Sequence, residues 1–381
     1  METKKKKLIR AVTVSMSVGF YEPMIEELQQ DGYEVVSVSS PGPELERLRA
    51  KGVRCLEVPM ERHIAIQKDI RSLFALIRVF HKEKPFIVHS MTPKAGMLCM
   101  VAAWVCRVPL RIHTFTGLVW PTAKGLKRRV LMFTDWLTCF CATHIIPEGQ
   151  GVKNDLSHVT KKPMKVLGYG NVKGVDMHRF SLRPEVLQKA APLKNNDVFT
   201  FIFVGRIVGD KGINELVEAY LRLLKEHSNL RLFLVGNFEM KLDPVSPQTM
   251  QCISDTKEIS AVGPKYADDL LAYYAASDCF VFPSYREGFP NTVMEAGAMG
   301  LPSIVTDING SREIIVENKN GKIIPSKDVD ALYRSMKFMV ENEDDCRRMA
   351  GNARQMIASR FDQTFVRKCL MDFYNQISAE E

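Results

Sequence analysis

Two glutamates flank a turn rich in glycine and proline in the later half of the chain. Glu287 and Glu295 stand eight positions apart, and the turn at 288–290 leads into a predicted helix that begins near Asn291. The first turn of a helix leaves backbone N–H groups free at its positive end, which suits a phosphate group. Ionised carboxylates only accept hydrogen bonds, so they suit the hydroxyls of a sugar. The segment therefore indicates a ligand that carries both phosphate and sugar groups.

A second turn, upstream of the first, supplies positive charge. An apolar run at 198–204 leads into a glycine-rich stretch at 205–212, in which Arg206 and Lys211 flank the turn. Glycines let a backbone approach a ligand closely, and two cations there can neutralise a diphosphate. The stretch is neither a Walker A loop nor a Gly-x-Gly-x-x-Gly fingerprint. The alternative interpretation is that each charged residue, taken singly, is an ordinary surface side chain.

The predicted elements that position these turns alternate between short strands and helices. Helical patterns such as 66–84, 94–106 and 214–226 separate short apolar runs, which is typical of βαβ units whose parallel sheet is covered on both faces. The apolar runs predict strands at 8–14, 33–38, 53–58, 86–89, 110–115, 198–204, 230–235, 279–282, 303–306 and 322–324. The sequence predicts an α/β fold of two tandem Rossmann-like, doubly wound domains. Ligands of such sheets bind at the carboxyl ends of the strands, here in an expected interdomain cleft.

Together these motifs resemble a known family. Val-Gly-Arg-x4-Lys-Gly at 204–212 and Glu-x7-Glu at 287–295, followed by Gly-Leu-Pro at 300–302, resemble the donor domain of retaining glycosyltransferases of family 4. In the first half, the stretches 88–96 and 110–117 resemble the subgroup that builds bacterial capsule, O-antigen and N-glycan precursors on polyprenyl diphosphate carriers. The resemblance implies the GT-B architecture of two Rossmann-like domains.

The resemblance covers nearly the whole chain and implies different roles for its halves. We expect an acceptor-binding domain over 1–178 and a nucleotide-sugar-binding domain over 179–361. A C-terminal helix over 362–381 is expected to pack back toward the first domain. The polar segment 180–196, which contains two prolines, is the predicted linker.

The resemblance also implies roles for individual donor-side residues. Arg206 and Lys211 would bind the nucleotide diphosphate, and Glu287 would contact the donor sugar. Glu295 would hold the ribose, and Gly19 would let the donor diphosphate approach the first domain. The turn that begins at Val262 is the expected contact for the base. The expected donor-binding set is Gly19, Arg206, Lys211, Val262, Glu287, Gly288, Phe289, Pro290, Asn291 and Glu295, and the expected catalytic set is Arg206, Lys211, Glu287 and His113.

The acceptor side is less well marked in the sequence. Many relatives have a histidine directly before the glycine of the turn at 114–117, where this chain has Thr116. His113 is therefore a candidate for the chemistry, and the alternative is a satisfied, half-buried histidine. Basic side chains near other strand ends are candidates for binding a carrier diphosphate. The expected acceptor-binding set is Arg62, His63, Lys94, Arg111 and Thr116.

A basic and aromatic segment at 120–136 predicts contact with a membrane surface. Its basic residues are Lys124, Lys127, Arg128 and Arg129, and they stand among Trp120, Val130, Leu131, Phe133 and Trp136. An amphipathic helix of this composition suits anionic lipid headgroups. The alternative is that its apolar face belongs to the core and its basic face is merely solvated.

The distribution of charge and the use of cysteine indicate which kind of partner and which cellular compartment to expect. Residues 1–177 carry 27 basic and 16 acidic side chains, whereas 178–381 carry 25 and 28, so an anionic partner is expected for the first half. The nine scattered cysteines predict reduced thiols in the cytoplasm. The longest apolar run, 96–106, is shorter than the roughly 20 residues of a membrane span. We therefore expect a cytoplasmic protein associated peripherally with the inner face of the cell membrane.

The expected activity is that of a retaining hexosyltransferase. It would move an N-acetylhexosamine or related hexose from a nucleotide diphosphate sugar, expected to be UDP-linked, to a polyprenyl-diphosphate-linked glycan. No metal or other cofactor is expected, because two cations and a helix terminus can stabilise the leaving diphosphate. The alternatives are a family 4 transferase with a soluble acceptor and a non-catalytic, sugar-nucleotide-binding assembly partner. Nucleic acid is not an expected partner, because no motif for it is present.

Overall fold

The chain divides into two α/β units, the first of which is discontinuous in sequence. The computed structural model describes residues 5–241 and 243–380. The first unit consists of Met1–Lys173 together with Phe365–Glu381, and the second unit is Gly174–Thr364. The unit boundaries lie five and three residues from those expected at 178 and 361.

The first unit is built around a parallel sheet. Its strands are β1 (Lys6–Ala11), β2 (Tyr33–Ser39), β3 (Arg54–Glu57), β4 (Ile87–Met91), β5 (Leu110–Phe115) and β6 (His144–Pro147). The helices between and after them are α1 (Ile25–Gln30), α2 (Pro43–Ala50), α3 (Ile66–Glu83), α4 (Pro93–Val105), α5 (Gly125–Cys141) and α6 (Gln150–Leu156), with short 3-10 helices at Ser15–Phe20, Glu22–Met24 and Trp120–Thr122. The strand order is β3-β2-β1-β4-β5-β6, and all pairs are parallel. Apolar clusters fill both faces of the sheet.

The second unit repeats this plan. Its strands are β7 (Phe199–Val204), β8 (Leu230–Val235), β9 (Ile259–Gly263), β10 (Cys279–Phe282), β11 (Ser303–Thr306) and β12 (Gly321–Ile324). Its helices are α7 (Pro184–Ala190), α8 (Ile213–Leu224), α9 (Pro247–Asp255), α10 (Ala267–Ala275), α11 (Asn291–Ala298), α12 (Ser311–Ile314), α13 (Val329–Glu341) and α14 (Glu343–Phe361), with a 3-10 helix at Gly209–Lys211. The order β12-β11-β10-β7-β8-β9 is again parallel throughout. The predicted pair of doubly wound sheets is thus confirmed.

Both the burial of the strands and the starts of the helices follow from the sequence. Strands such as β4 and β10 are buried at every position, as expected for a parallel sheet with helices on both faces. Proline is the first residue of α2, α4, α7 and α9. Its fixed φ and missing N–H suit that position, where the N–H has no partner within the helix.

The segment predicted to be a linker is part of the second unit. Residues 180–196 contain α7, which is tied to α10 by ion pairs of 2.6 Å between Arg183 and Asp268 and between Lys189 and Asp269. The prediction of a linker there was wrong, because Pro184 opens a helix at its first position rather than interrupting one.

The last helix, α15 (Gln363–Ala379), completes the first unit. Its Tyr374 is fully buried and contacts two buried polar residues of the sheet. The Tyr374 hydroxyl lies 2.7 Å from Arg10 Nη1 in β1 and is also hydrogen-bonded to His89 Nδ1 in β4. The hydroxyl satisfies polar groups that would otherwise be costly to bury.

Candidate functional site

Two turns at the carboxyl ends of β7 and β10 are packed directly against each other. Gly212 adopts φ of +71°, and a Cβ there would lie 2.2 Å from the carbonyl oxygen of Pro283. Only glycine combines this backbone conformation with this close approach. The requirement for glycine at 212 therefore fixes Lys211 next to the end of β10.

The structure brings Lys211 and Glu287 together. The Lys211 ammonium donates a hydrogen bond to Oε1 of Glu287, and Ser284 Oγ donates to the same oxygen at 2.8 Å. The two charged side chains are only 13% and 17% exposed. The Lys211 ammonium also lies 5.5 Å from the centre of the Phe282 ring. Ser284 is absent from the sequence-based set, although its place directly after a predicted strand is a usable signal.

Arg206 follows the same strand but has a different partner. Its Nη1 lies 2.9 Å from Oε2 of Glu239, a residue that follows β8 and that sequence reasoning missed. The Arg206 side chain is 49% exposed, so its guanidinium remains accessible to a ligand. A planar guanidinium has five donors, so one carboxylate does not use all of them.

The turn at 288–291 has the geometry that the sequence predicts. Helix α11 begins at Asn291, and its N-cap residue, Pro290, provides no side-chain hydrogen bond. The Phe289 side chain is buried in the core, where it packs against Phe361 at a ring distance of 5.4 Å. Only the backbone of Phe289 can therefore contact a ligand. Gly288 is closely packed as well, because a Cβ on Gly310 would lie 2.4 Å from its carbonyl oxygen.

Two further donor-side candidates lie in regular elements of the same unit. Glu295 is one turn into α11, and its charge, after burial, raises the pKa of the Tyr274 hydroxyl. Val262 lies near the carboxyl end of β9, where Gly263 accepts a hydrogen bond from Gly236 N–H at 3.1 Å. Val262 thus lies near the carboxyl end of a strand, and Glu295 lies in the helix that follows one. Ligands of doubly wound sheets bind in this region.

His113 lies in the interior of the first unit. It is 1% exposed, its Nδ1 is 2.8 Å from Ser90 Oγ, and a Cβ on Gly96 would lie 2.4 Å from its ring. Burial lowers the pKa of His113 to about 3, so the ring is neutral at physiological pH. These surroundings match the alternative interpretation of a satisfied buried histidine. The sequence-based assignment of His113 to the catalytic set is therefore withdrawn.

Several acceptor-side candidates share the carboxyl edge of the first sheet. Lys94 is the second residue of α4, one position after the Pro93 that opens the helix, and its ammonium contacts Asp69 Oδ1 at 2.6 Å and the carbonyl oxygen of His63 at 2.7 Å. Arg62 is exposed in the same loop, and Thr116 directly follows β5. Lys94 thus already has a carboxylate partner, which the sequence did not predict.

Arg111 lies at the other end of the sheet. It is the second residue of β5, and its guanidinium donates to the carbonyl oxygens of Cys141 at 2.7 Å and Val108 at 2.6 Å. At about 3.3 Å per strand residue, Arg111 and Thr116 are roughly 16 Å apart. Arg111 therefore stabilises the amino end of the strand, and its assignment to the acceptor set is corrected on this ground.

Gly19 lies in the 3-10 helix that follows β1. No atom lies within 4 Å of the position that a Cβ would occupy there. The backbone is therefore open on that side, as a close approach by a ligand requires.

The predicted membrane-facing segment exposes aromatic side chains. Trp104 of α4 and Phe133, Trp136 and Phe140 of α5, here called the aromatic ladder, are each 43–58% exposed. Their rings form a continuous series with centroid distances of 5.6–6.2 Å. Trp120, by contrast, is buried, and Arg128 lies 5.5 Å from its ring. Among the described residues, no helix has the length and apolar character needed to span a bilayer.

Within the described residues, no cluster of three or more His, Cys, Asp and Glu side chains is arranged to hold a metal ion. The sequence does contain an Asp-x-Asp triplet at 328–330. Asp328 caps α13 by accepting the N–H of Ala331 at 2.8 Å, and Asp330 pairs with Arg222 at 2.6 Å. Both carboxylates therefore have structural partners.

Comparisons with known proteins agree with the motifs and the fold. Residues 186–356 match the family described as glycosyl transferases group 1, and residues 21–153 match the glycosyl transferase 4-like domain. The chain is 33% identical over 380 residues, 99% of each chain, to the capsular polysaccharide biosynthesis glycosyltransferase CapM of Staphylococcus aureus. It is 29% identical, over 81% of this chain and 80% of the relative, to an Escherichia coli protein named UDP-Gal:alpha-D-GlcNAc-diphosphoundecaprenol alpha-1,3-galactosyltransferase.

A solved structure with low sequence identity has the same fold. The sucrose-phosphate synthase of Thermosynechococcus elongatus superposes with a TM-score of 0.81 at 17% identity, covering 99% of this chain and 100% of the synthase. The two parallel sheets thus have the GT-B arrangement of strands and helices. With the motif order and the match to CapM over its whole length, these findings show that the chain belongs to the group 1, family 4-like glycosyl transferases.

Proposed function

We propose that this protein transfers a sugar from a nucleotide diphosphate sugar to a glycan carried on polyprenyl diphosphate. The product would enter the synthesis of capsule, another surface polysaccharide or a glycoprotein glycan. The proposed donor is a UDP-sugar, and the proposed sugar is an N-acetylhexosamine or a related hexose. The names of the Staphylococcus aureus and Escherichia coli relatives support this proposal, since the second includes UDP-Gal and a diphosphoundecaprenol-linked acceptor.

The pairing of Lys211 with Glu287 is the observation on which the proposal rests. In the proposed site Lys211 would supply a cation for a phosphate and Glu287 an acceptor for a sugar hydroxyl, and both lie at the same sheet edge beside the start of α11, whose N-cap residue is a proline. A ligand with adjoining diphosphate and sugar groups complements all three features.

In the proposed reaction the bond between the anomeric carbon and the diphosphate oxygen breaks. The acceptor oxygen then bonds to that carbon. Negative charge develops on the leaving diphosphate, and Lys211 and Arg206 stabilise it without a metal. We propose that the anomeric configuration is retained and that the departing phosphate takes the proton of the acceptor hydroxyl. Glu287 would orient the sugar, and Glu295 would hold the ribose.

The acceptor diphosphate would bind at the carboxyl edge of the first sheet. Arg62, the exposed cation of the loop before α3, is the principal candidate there. Lys94 would contribute less net charge than the sequence suggests, because Asp69 accompanies it. Gly19 would allow the donor diphosphate to approach this unit.

We further propose that α5 holds the protein on the inner face of the cell membrane. The aromatic ladder would lie at the headgroup level, where amphipathic rings are favoured. Lys127, Arg128 and Arg129 would attract anionic lipids at about 1 kcal/mol each near the surface.

The first alternative function is that of a family member with a soluble acceptor. The second is that of a non-catalytic, sugar-nucleotide-binding assembly partner.

Product analysis tests the proposal. Purified protein is incubated with polyprenyl-diphosphate-linked sugars and a panel of UDP-, GDP- and ADP-sugars, and the lipid products are analysed by mass spectrometry and by NMR of the new linkage. We expect a mass increase of one hexose or N-acetylhexosamine with a UDP donor and retention at the anomeric carbon. Hydrolysis of donors alone, transfer only to a soluble sugar, or an inverted linkage would each contradict it.

A further inference from the structure

The loop that follows β8 is hydrogen-bonded to the turn that carries Lys211. Ile207 N–H donates to the carbonyl oxygen of Asn237 at 2.8 Å, and Gly209 N–H donates to the carbonyl oxygen of Asp243 at 3.0 Å. Asp210 N–H donates to Oδ2 of Asp243 at 2.6 Å. Asp243 thus accepts the N–H groups of two consecutive residues with its carbonyl and its carboxylate.

The backbone of Asp243 is strained. Its φ is +106°, in the region that glycine occupies freely and that side chains with a Cβ rarely adopt. Such a conformation persists only where surrounding contacts fix it, and strained residues of this kind concentrate at ligand sites. The Asp243 carboxylate also occupies the space next to Gly209, since a Cβ on Gly209 would lie 2.9 Å from Oδ1.

The turn 209–211 is held from its other side by the loop after β10. The carbonyl oxygen of Asp210 accepts Tyr285 N–H at 2.8 Å, and Ser284 Oγ lies 3.3 Å from the same oxygen. The single hydroxyl proton of Ser284 is donated to Glu287, the partner of Lys211, at the shorter distance of 2.8 Å. The residue before Lys211 is therefore fixed between two loops, and Asp243 provides the contact on the β8 side.

We propose that Asp243 is a positioning residue of the donor site, which acts on Lys211 through the turn 209–211. The proposal rests on the proposed function, because it takes Lys211 to bind the donor diphosphate. Asp243 itself would not contact the donor. Its carboxylate orders the turn by a charge-assisted hydrogen bond, and the ordered turn directs the Lys211 ammonium toward the diphosphate.

Three substitutions separate this role from a purely structural one. Asp243→Gly removes the carboxylate and also relieves the backbone strain, so we expect an unchanged or raised melting temperature together with about tenfold weaker binding of UDP, the equivalent of one hydrogen bond to a charged group. Asp243→Ala is expected to weaken UDP binding by at least as much. Asp243→Asn keeps an oxygen acceptor and tolerates positive φ, so binding within about threefold of the unmodified protein is expected.

UDP binding is measured by calorimetry on the full chain, and donor KM, acceptor KM and kcat are measured alongside. In Asp243→Gly and Asp243→Ala we expect donor KM to increase and acceptor KM to stay unchanged. Asp269→Ala, which breaks the exposed pair with Lys189 in the same unit, is the matched control and should leave UDP binding unchanged. Equal UDP affinity in Asp243→Gly and the unmodified protein would overturn the role of Asp243. Failure of the unmodified protein to bind any nucleoside diphosphate would instead overturn the proposed function.

Discussion

Lys211 and Glu287, which are 76 positions apart in the sequence, form a partly buried ion pair at the carboxyl edge of the second sheet. The pair keeps an ammonium in place before any ligand is present, because the carboxylate partly offsets its desolvation. A ligand diphosphate would share this ammonium with Glu287, while the carboxylate is still able to accept a hydrogen bond from a sugar hydroxyl. We therefore expect the two residues to have separable roles, which substitutions can distinguish.

Lys211→Met is expected to weaken UDP binding, whereas Glu287→Gln is expected to retain it. Loss of one cation at a diphosphate should lower UDP affinity by about tenfold or more, the value of a hydrogen bond to a charged group. Glu287→Gln removes a negative charge near the diphosphate and replaces one of the two carboxylate oxygens by an NH2 donor, so the sugar loses its charged acceptor and transfer should fall by about 100-fold. Calorimetry and initial rates provide the two readouts, with Lys189→Met as the control lysine. Equal losses of UDP binding in both variants would contradict separate roles.

Chelation of divalent metals is expected to leave transfer unchanged. In the proposed reaction, Arg206 and Lys211 supply the positive charge that a metal would otherwise provide for the leaving diphosphate. Initial rates are compared in EDTA and in Mg²⁺ or Mn²⁺ after dialysis against a chelator. A rate that falls by about tenfold in EDTA and recovers with added metal would refute the metal-independent mechanism.

Substitution of the aromatic ladder is expected to release the protein from lipid vesicles. Trp136→Ser with Phe140→Ser removes two exposed rings of α5, so flotation with vesicles of anionic phospholipid should fall severalfold while the melting temperature stays within a few degrees. A charge variant, Lys127→Glu with Arg129→Glu, should also reduce flotation, and the size of that reduction should depend on salt concentration. Phe74→Ser, at another exposed ring on α3, is the matched control. Flotation that is indifferent to all of these changes would argue against α5 as the contact.

Asp135 is expected to make the first unit less stable at alkaline pH. Burial raises the pKa of this α5 carboxyl to about 7, so the folded state binds a proton that the unfolded state, with its usual pKa near 3.8, has already released. The free energy of unfolding should therefore decrease as pH rises from about 4 to about 7 and then level off. Asp135→Asn removes this dependence, so its stabilising effect should be larger at pH 8 than at pH 5. Urea unfolding at both pH values measures the difference, and an equal effect at both would show that Asp135 titrates normally.

Gly96→Ala is expected to destabilise the first unit through His113. A methyl group at 96 would lie 2.4 Å from the buried imidazole ring, and overpacking of this kind costs about 1–3 kcal/mol. His113→Ala should be destabilising by itself, and the double variant should be more stable than the sum of the single effects predicts. Urea unfolding of the four proteins gives the coupling energy. Simple additivity would indicate that the two residues do not contact each other.

The sequence predicted the central strands and the long helices because their apolar patterns are strong. It missed β6 (His-Ile-Ile-Pro) and β9 (Ile-Ser-Ala-Val-Gly), because their apolar runs are only two residues long. Arg111 shows a second limit. The alternation of a strand indicates which face of the sheet a residue lies on, but Arg111 can be placed at the amino end only when the bounds of the strand are known. His113 shows a third, because its burial against Gly96 of α4 and Ser90 of β4 depends on contacts between elements, which the pattern of a single strand does not give.

The donor-side motif was predictable because Lys211 and Glu287 each lie in a local pattern of glycine and charge. Glu239 and Asp243 were not predictable in this way. Their contacts with Arg206 and Asp210 join the loop after β8 to the loop after β7. The partners are 33 positions apart, and the sequence between them carries no local signal of the contact. Such contacts depend on the strand order of the sheet, in which β7 and β8 are neighbours.

Tyr374 has a consequence for the order in which the protein can mature on the ribosome. The polar groups of Arg10 and His89 are synthesised early, but the hydroxyl that satisfies both belongs to the last helix of the chain. All of Gly174–Thr364 is translated in between, so the first unit cannot complete its interior until α15 has been synthesised. The interior of the earlier unit is therefore completed only after the whole of the second unit has been translated.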